Sequence, residues 1–174
     1  MAERECSSTG CTKESCEGCP SRQQKPESML EAQNTYSNIR HVVGVVSGKG
    51  GVGKSLVTAS LANLMASQGY RVGILDADIT GPSIPKMYGL HGPAEMAGEC
   101  IQPIFTKNGI EVMSINLLLP EEEAPVIWRG PILANMVKQF WTDVAWGELD
   151  YLFVDMPPGT GDVPLTVFQS IPVE

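Results

Sequence analysis

Residues 41–55 read HVVGVVSGKGGVGKS, and this stretch decides the fold. Its first half, His41–Ser47, is a β-branched run without polar alternation, which is typical of a strand buried on both faces of a parallel sheet. Its second half fits the pattern Gly-x-x-x-x-Gly-Lys-Ser, in which glycines free the backbone to turn several N–H groups toward a phosphate. We therefore predict a strand, a phosphate-binding loop and a helix in succession.

The loop residues are predicted to bind ATP, and they are Gly48, Lys49, Gly50, Gly51, Val52, Gly53, Lys54 and Ser55. Lys54 is expected to contact the β- and γ-phosphates, and the Ser55 hydroxyl to ligate Mg²⁺. Lys49 is an addition that an ordinary phosphate loop does not require. A cation so early in the loop cannot easily reach its own γ-phosphate, so we interpret it as a charge donor across a dimer interface. A solvated surface lysine is the alternative.

The segments that follow alternate between helical and strand patterns. A helix is predicted over Lys54–Gln68 with Gly69 as its cap, and its apolar face comprises Val57, Leu61, Leu64 and Met65. Further elements are predicted as a strand at Arg71–Leu75, a hairpin of Ile101–Thr106 and Ile110–Ile115 around Asn108-Gly109, a helix from Pro131 through Phe140, a strand at Tyr151–Val154, and a helix at Val163–Ser170. This order indicates an α/β fold of the P-loop NTPase type: a mostly parallel sheet with helices on both faces, truncated after about the fourth core strand.

Three aspartates follow apolar strands, at Asp76, Asp78 and Asp155. Ligands of parallel α/β sheets bind beyond the carboxyl ends of the strands, where a carboxylate can orient water or sit beside Mg²⁺. We predict catalytic roles for Lys49, Lys54, Asp78 and Asp155. A simple capping role is the alternative, and it is strongest for Asp76. The segment 157–161 after Asp155 is interpreted as a switch loop that responds to the γ-phosphate.

Four of the five cysteines lie at the N-terminus, as Cys6, Cys11, Cys16 and Cys19. A Cys-x-x-Cys pair followed by proline is typical of iron–sulfur ligation, so these four are candidate cluster ligands. Zinc binding and unliganded thiols are the alternatives. Residues 1–40 contain almost no large apolar side chains, and we predict a flexible segment ahead of an incomplete ATPase domain at 41–174.

Composition argues against several functions. The net charge is −8, and no cluster of Lys and Arg suited to nucleic-acid phosphates is present. No apolar run approaches the roughly 20 residues of a membrane span, and the N-terminus lacks the apolar core of a signal peptide. We therefore expect a cytoplasmic protein that binds neither nucleic acid nor membrane.

Several segments together resemble a known family. The loop 47–55 resembles that of the ATPases that include nitrogenase iron protein, ParA and MinD, and the match is narrowed by residues 76–85, Trp128–Pro131, 150–162 and the cysteine-rich head. These are similar to Mrp-type iron–sulfur cluster carrier ATPases, in the branch with an N-terminal cysteine cluster. The resemblance implies a homodimer with ATP and Mg²⁺, a bound [4Fe-4S] cluster and its delivery to apoproteins. It also implies that Lys49 is the signature lysine, and that Asp78 and Asp155 belong to switches I and II.

The sequence departs from that family in three ways. Leu56 replaces a second hydroxyl residue, the cysteine spacing is unusual, and the C-terminal Cys-x-x-Cys of the family is missing along with its late strands. Two other functions compete with the carrier: a positioning ATPase of the ParA or MinD kind, and a truncated, non-catalytic module that holds a metal.

Overall fold

The computed structural model describes residues 29–78, 81–118 and 130–174. The strands of this part are β1 (Ser37–Val45), β2 (Val72–Asp76), β3 (Met96–Ala97), β4 (Cys100–Ile101), β5 (Ile104–Phe105), β6 (Glu111–Ser114) and β7 (Gly147–Asp155). The α-helices are α1 (Lys54–Ser67), α2 (Ile84–Tyr88), α3 (Gly130–Thr142) and α4 (Asp162–Ser170). A short 3₁₀ turn, Ile115–Leu117, follows β6.

One five-stranded sheet organises the chain, in the order β1-β7-β2-β6-β5. The first four strands are parallel, and β5 runs antiparallel to β6. Register aligns the strand ends, because Val45 pairs with Asp155, Asp155 with Asp76, and Asp76 with Ser114. The predicted mostly parallel sheet is therefore confirmed, and its aspartates meet at one edge.

Helices cover both faces of the sheet, as predicted. On one face, α3 and α4 bury Val137, Phe140 and Val167 against the sheet, together with Trp146 from the segment before β7. On the other face, Ala62 of α1 and Ile84 of α2 pack against Val72, Ile74 and Val112. No helix in the described part of the chain has the length and apolar character needed to cross a membrane.

The predicted apolar face of α1 is wrong for Val57, Leu61 and Leu64, whereas Met65 packs against the core. The helix runs over Lys54–Ser67 as expected, but it buries Thr58, Ala59 and Ala62. Val57 is 49% exposed, Leu61 37% and Leu64 52%. Small side chains let the helix backbone lie close to the sheet, and interior packing favours the face that approaches most closely. The larger apolar stripe consequently points outward.

Two predicted boundaries also change. Strand β1 begins at Ser37 rather than His41, and β7 at Gly147 rather than Tyr151, because these extra residues pair with one another. The first half of the predicted strand Ile101–Thr106 is wrong, since β4 pairs with β3 and only β5 joins β6. Pro103 lies between β4 and β5, and proline cannot donate a ladder hydrogen bond.

Candidate functional site

The phosphate-loop motif lines a cavity of about 400 Å³ at the carboxyl edge of the sheet. The lining residues are Ser47, Lys49, Gly50, Gly51, Gly53, Lys54, Ser55, Leu56, Asp78, Gly81 and Pro158. Six of the eight predicted loop residues are among them; Gly48 and Val52 belong to the loop but lie outside this lining. The structure therefore brings the loop, the segment after β2 and the segment after β7 to one place.

Glycine is required where the loop becomes the helix. Gly53 is the N-cap of α1 with φ 89°, and Gly51 has φ 72°. Residues other than glycine rarely adopt such positive φ angles. The N–H of Val57 donates to the Gly53 carbonyl (3.0 Å), which begins the helical hydrogen bonding. The helix N-terminus thus opens into the cavity, where its dipole favours an anion.

The carboxylate of Asp155 holds three side chains from the end of the loop and the first turns of α1. Lys54 Nζ donates to Oδ1 (2.7 Å), and the Ser55 hydroxyl donates to Oδ2 (2.5 Å). Thr58 Oγ1 also lies 3.1 Å from Oδ1. Asp155 is the last residue of β7, so the sheet itself sets the position of these groups.

The charges at this site are desolvated. The Lys54 side chain is 7% exposed and that of Asp155 is fully buried, while Asp78 Oδ2 approaches Lys54 Nζ at 3.9 Å. A buried pair of this kind becomes costly when one partner is removed. The carboxylates of Asp155 and Asp78 thus both face the Lys54 ammonium group. The hydroxyl and carboxylate oxygens of Ser55 and Asp155 are the kind of donors that Mg²⁺ prefers, and they fit this ion.

Asp76 acts as a cap, which confirms the alternative role considered for it. Its carboxylate accepts backbone N–H groups from Asp78 (3.2 Å), Ser83 (3.1 Å) and Ile84 (3.1 Å). Burial raises the pKa of Asp76 to about 7, helped by the negative charge of Asp155 and opposed by the bonds from Ile84 and Asp78. Asp76 therefore lies behind the cavity wall and bonds to the backbone rather than to a ligand.

The segment after β7 contacts the phosphate loop directly. The N–H of Gly159 donates to the Ser47 carbonyl (3.0 Å), and Pro158 lines the cavity. Lys49 is exposed and lines the same cavity. The loop and the predicted switch segment are thus in contact, and Lys49 is an exposed cation of the cavity lining.

Thr58 and Leu56 were not predicted as site residues, although both belong to α1. Thr58 is fully buried and its hydroxyl faces both Asp155 and the Lys54 carbonyl, each at 3.1 Å. It lies four residues after Lys54, on the same side of the helix, and that spacing was the available signal. Leu56 is 62% exposed and lines the cavity.

The predicted cysteine ligands lie outside the described residues, as do Trp128 and Arg129. Cys100 is a free thiol, and its Sγ accepts from Asn34 Nδ2 at 3.5 Å. Within residues 29–78, 81–118 and 130–174, no group of three or more His, Cys, Asp or Glu side chains is arranged to hold a metal ion.

Comparison with known proteins matches residues 38–174 to the ParA family described as a NUBPL iron-transfer P-loop NTPase. An iron–sulfur cluster carrier protein of Methanocaldococcus jannaschii is 52% identical over 165 residues, covering 90% of this chain and 57% of that protein. One from Clostridium perfringens is 50% identical over 147 residues, covering 80% of this chain and 52% of that protein. The chain therefore spans about half the length of these curated relatives.

A solved structure agrees in both sequence and shape. The nucleotide-binding protein of Archaeoglobus fulgidus in complex with ADP is 52% identical, with a TM-score of 0.66 over 75% of this chain and 50% of that one. The family match covers the whole of the sheet and the cavity described above. This chain therefore belongs to the NUBPL iron-transfer family of P-loop NTPases.

Proposed function

We propose that this chain binds Mg·ATP in the phosphate-loop cavity and works as part of an iron–sulfur cluster carrier that transfers a cluster to apoproteins, with slow ATP hydrolysis. One observation carries the nucleotide half of this proposal: Asp155 holds both Lys54 and Ser55 at the cavity. The cluster half is supported by relatives named iron–sulfur cluster carrier proteins. Because those relatives are about twice as long, the activity of the whole protein is part of the proposal.

The chemistry follows from the residues that converge on the cavity. Lys54 turns from Asp155 to the β- and γ-phosphates, and the α1 N-terminus receives the same negative charge. Ser55 and Asp155 hold Mg²⁺, which neutralises phosphate charge when it is bound. Asp78, 3.9 Å from Lys54, orients the attacking water. In this catalysis the protein positions the reacting groups and stabilises the charge on the phosphates, and it takes little covalent part in the reaction.

Nucleotide binding is tested by Lys54→Ala, with Lys107→Ala as the control. Lys107 is an exposed lysine of the hairpin turn, so its loss changes the net charge equally without touching the cavity. Loss of the Lys54 contact should weaken Mg·ATP binding by about 30-fold or more, the size expected for a desolvated charge pair. Calorimetry on folded variants measures this, and equal affinities in both would remove the phosphate-loop assignment.

We propose that the cargo is a [4Fe-4S] cluster held by Cys6, Cys11, Cys16 and Cys19. Anaerobic reconstitution with iron and sulfide tests this, with the four cysteines changed to serine in one variant. Cys100→Ser is the matched control, because that thiol lies in the folded domain beside Asn34. Iron and sulfide content should fall only in the first variant. Zinc in place of iron, or unchanged iron in the four-serine variant, would contradict the ligand assignment.

We further propose that the protein works as a homodimer, in which Lys49 contacts the nucleotide of the second subunit. Its exposure in the cavity lining supports this role, since a trans donor must be free to leave its own site. Lys49→Ala should impair hydrolysis more than binding, and sedimentation with Mg·ATP should show dimers. Equal loss of both activities would count against a trans role.

The remaining assignments are also proposals. The sequence predicted a cysteine-rich segment at residues 1–40 and an ATPase part at 41–174, but Ser37–Arg40 belong to β1, so we propose that the ATPase part begins at Ser37 and that the cysteine-rich segment ahead of it receives the cluster. We propose a cytoplasmic location with no nucleic-acid or membrane partner; in support, a yeast relative is named a cytosolic Fe-S cluster assembly factor and is 45% identical over 142 residues.

A further inference from the structure

The segment between β2 and α2 supplies two groups to the cavity, Asp78 and Gly81. Asp78 lies two residues beyond the end of β2, and the hydrogen bonds of the sheet reach its neighbour Ala77, whose N–H donates to the Asp155 carbonyl at 2.9 Å. Asp155 itself is the last residue of β7 and is fixed by pairing on both sides, with Val45 and Asp76. Beyond Ala77 the chain leaves the sheet, so contacts outside the sheet contribute to the position of Asp78 relative to Lys54.

A single carboxylate holds both ends of this segment. Asp76 Oδ1 accepts the N–H of Asp78 at the first end, at 3.2 Å. Asp76 Oδ2 accepts the N–H groups of Ser83 and Ile84 at the second end, both at 3.1 Å. We call these three hydrogen bonds the Asp76 clasp. Its geometry ties the start of the segment to the start of α2.

The burial of Asp76 gives the clasp its significance. The residue is 0% exposed, and a carboxylate in such a place is strongly unfavourable unless hydrogen bonds compensate it. Two of the three N–H donors, those of Asp78 and Ser83, belong to the segment that carries Asp78, and the third, that of Ile84, is at the first residue of α2. Asp76 is also the last residue of β2, so its own position is fixed by the sheet. The clasp hydrogen bonds therefore restrain residues that lie outside the sheet.

We propose that Asp76 is a positioning residue whose clasp holds Asp78 at Lys54 and thereby sets the rate of nucleotide hydrolysis. This inference rests on the proposed nucleotide function. Asp76 lies behind the cavity lining, so it acts through Asp78 and through the backbone of Gly81, whose N–H donates to the Asp78 carbonyl at 3.2 Å. Nucleotide affinity depends mainly on the phosphate loop and Lys54, and none of the three clasp hydrogen bonds involves these residues.

The test compares Asp76→Ala and Asp76→Asn with the control Asp150→Asn. Asp150 also accepts a backbone N–H, that of Arg71 at 2.9 Å, but Arg71 immediately precedes β2, at the opposite end of the strand from Asp76. Three quantities are measured on each full chain: the Mg·ATP dissociation constant, the single-turnover hydrolysis rate, and the amide hydrogen exchange of Ser83 and Ile84. Unfolding curves establish that each variant is folded.

In Asp76→Ala, hydrolysis should fall about 10-fold or more, as expected when several hydrogen bonds to a charged group are lost. Affinity should stay within about 3-fold, because ground-state binding is not removed. Exchange at Ser83 and Ile84 should accelerate. Asp76→Asn should be intermediate, since an amide has one oxygen acceptor in place of two. Asp150→Asn should change none of the three quantities.

Two results would overturn the proposal. One is an unchanged hydrolysis rate in both Asp76 variants; the other is a loss of affinity in proportion to the loss of rate, which a merely structural role would produce. If Asp76→Ala does not fold, Asp76→Asn decides the question by the same criteria. If the wild-type chain fails to bind Mg·ATP, the proposed function fails, and unchanged amide exchange in Asp76→Asn would then overturn the clasp as well.

Discussion

Replacing Thr58 with valine isolates the hydroxyl that sequence inspection did not identify. Thr58 is fully buried, and its Oγ1 lies 3.1 Å from both Asp155 Oδ1 and the Lys54 carbonyl oxygen. A hydroxyl has one hydrogen, so it donates to one of these acceptors at a time. The carboxylate is the stronger acceptor. We therefore expect the hydrogen to point at Asp155.

The expected loss of stability follows from the charge of the acceptor. A hydrogen bond to a charged group contributes about 1.5–3 kcal/mol, and valine removes it while nearly conserving volume. For a chain of this size, each kcal/mol shifts the melting temperature by roughly 2–4 °C, so Thr58→Val should melt about 3–12 °C lower. If the hydroxyl instead bonded the Lys54 carbonyl, the change would be small, because such bonds within a helix contribute little.

Ser60→Ala is the matched control. Ser60 lies on the same helix and donates to the Leu56 carbonyl at 2.7 Å, but it is exposed and has no carboxylate acceptor. Its loss should change stability by less than about 0.5 kcal/mol. Thermal and urea unfolding, followed by circular dichroism, measure both variants. If Thr58→Val and Ser60→Ala lowered stability by the same small amount, the reasoning would be refuted. The Thr58 hydroxyl would then donate to the Lys54 carbonyl and not to Asp155.

Three further predictions concern the sheet and its charges. Gly73→Ala places a Cβ 2.6 and 2.9 Å from two buried leucine methyl groups. Overpacking of this kind should lower the free energy of unfolding, measured with urea, by about 1–3 kcal/mol. An unchanged free energy of unfolding would mean that the core adjusts to the added methyl group without cost. Burial raises the pKa of Glu111 to about 7, so the unfolded chain ionises first and this group's contribution to stability falls as pH rises from about 4.5 to 7. Glu111→Gln should therefore flatten the pH dependence of stability relative to the wild-type chain, and equal slopes in the two proteins would contradict the shift. Asp155→Asn removes the charge that compensates Lys54, and should cost about 3–5 kcal/mol in the same unfolding assay; a smaller loss than for Gly73→Ala would argue against a strong pair.

Local patterns predicted the elements well where backbone conformation alone was at issue. The glycines of the phosphate loop, the helix from Lys54 and the hairpin at Asn108-Gly109 all depend on φ angles and short-range spacing, and the structure contains each of them. The strands at His41–Ser47, Arg71–Leu75 and Tyr151–Val154 were predicted from apolar runs, and the structure adds β6 of the hairpin as a fourth parallel strand. Most of the buried face of α1 was predicted wrongly, because an apolar stripe identifies a helix but does not say which side meets the sheet.

The sequence by itself therefore determined a phosphate-binding loop between a buried strand and a helix, and with it the α/β class of the fold. Periodicity and glycine placement are properties of neighbouring residues, so they can be read along the chain. Tertiary structure decided what Asp155 and Asp76 do. Lys54 and Asp155 lie 101 residues apart and meet only because β7 is inserted between β1 and β2. Asp76 forms the clasp of its segment, and Thr58 contacts Asp155, because strand register brings together side chains that are far apart in sequence. No local pattern in the sequence encodes that arrangement.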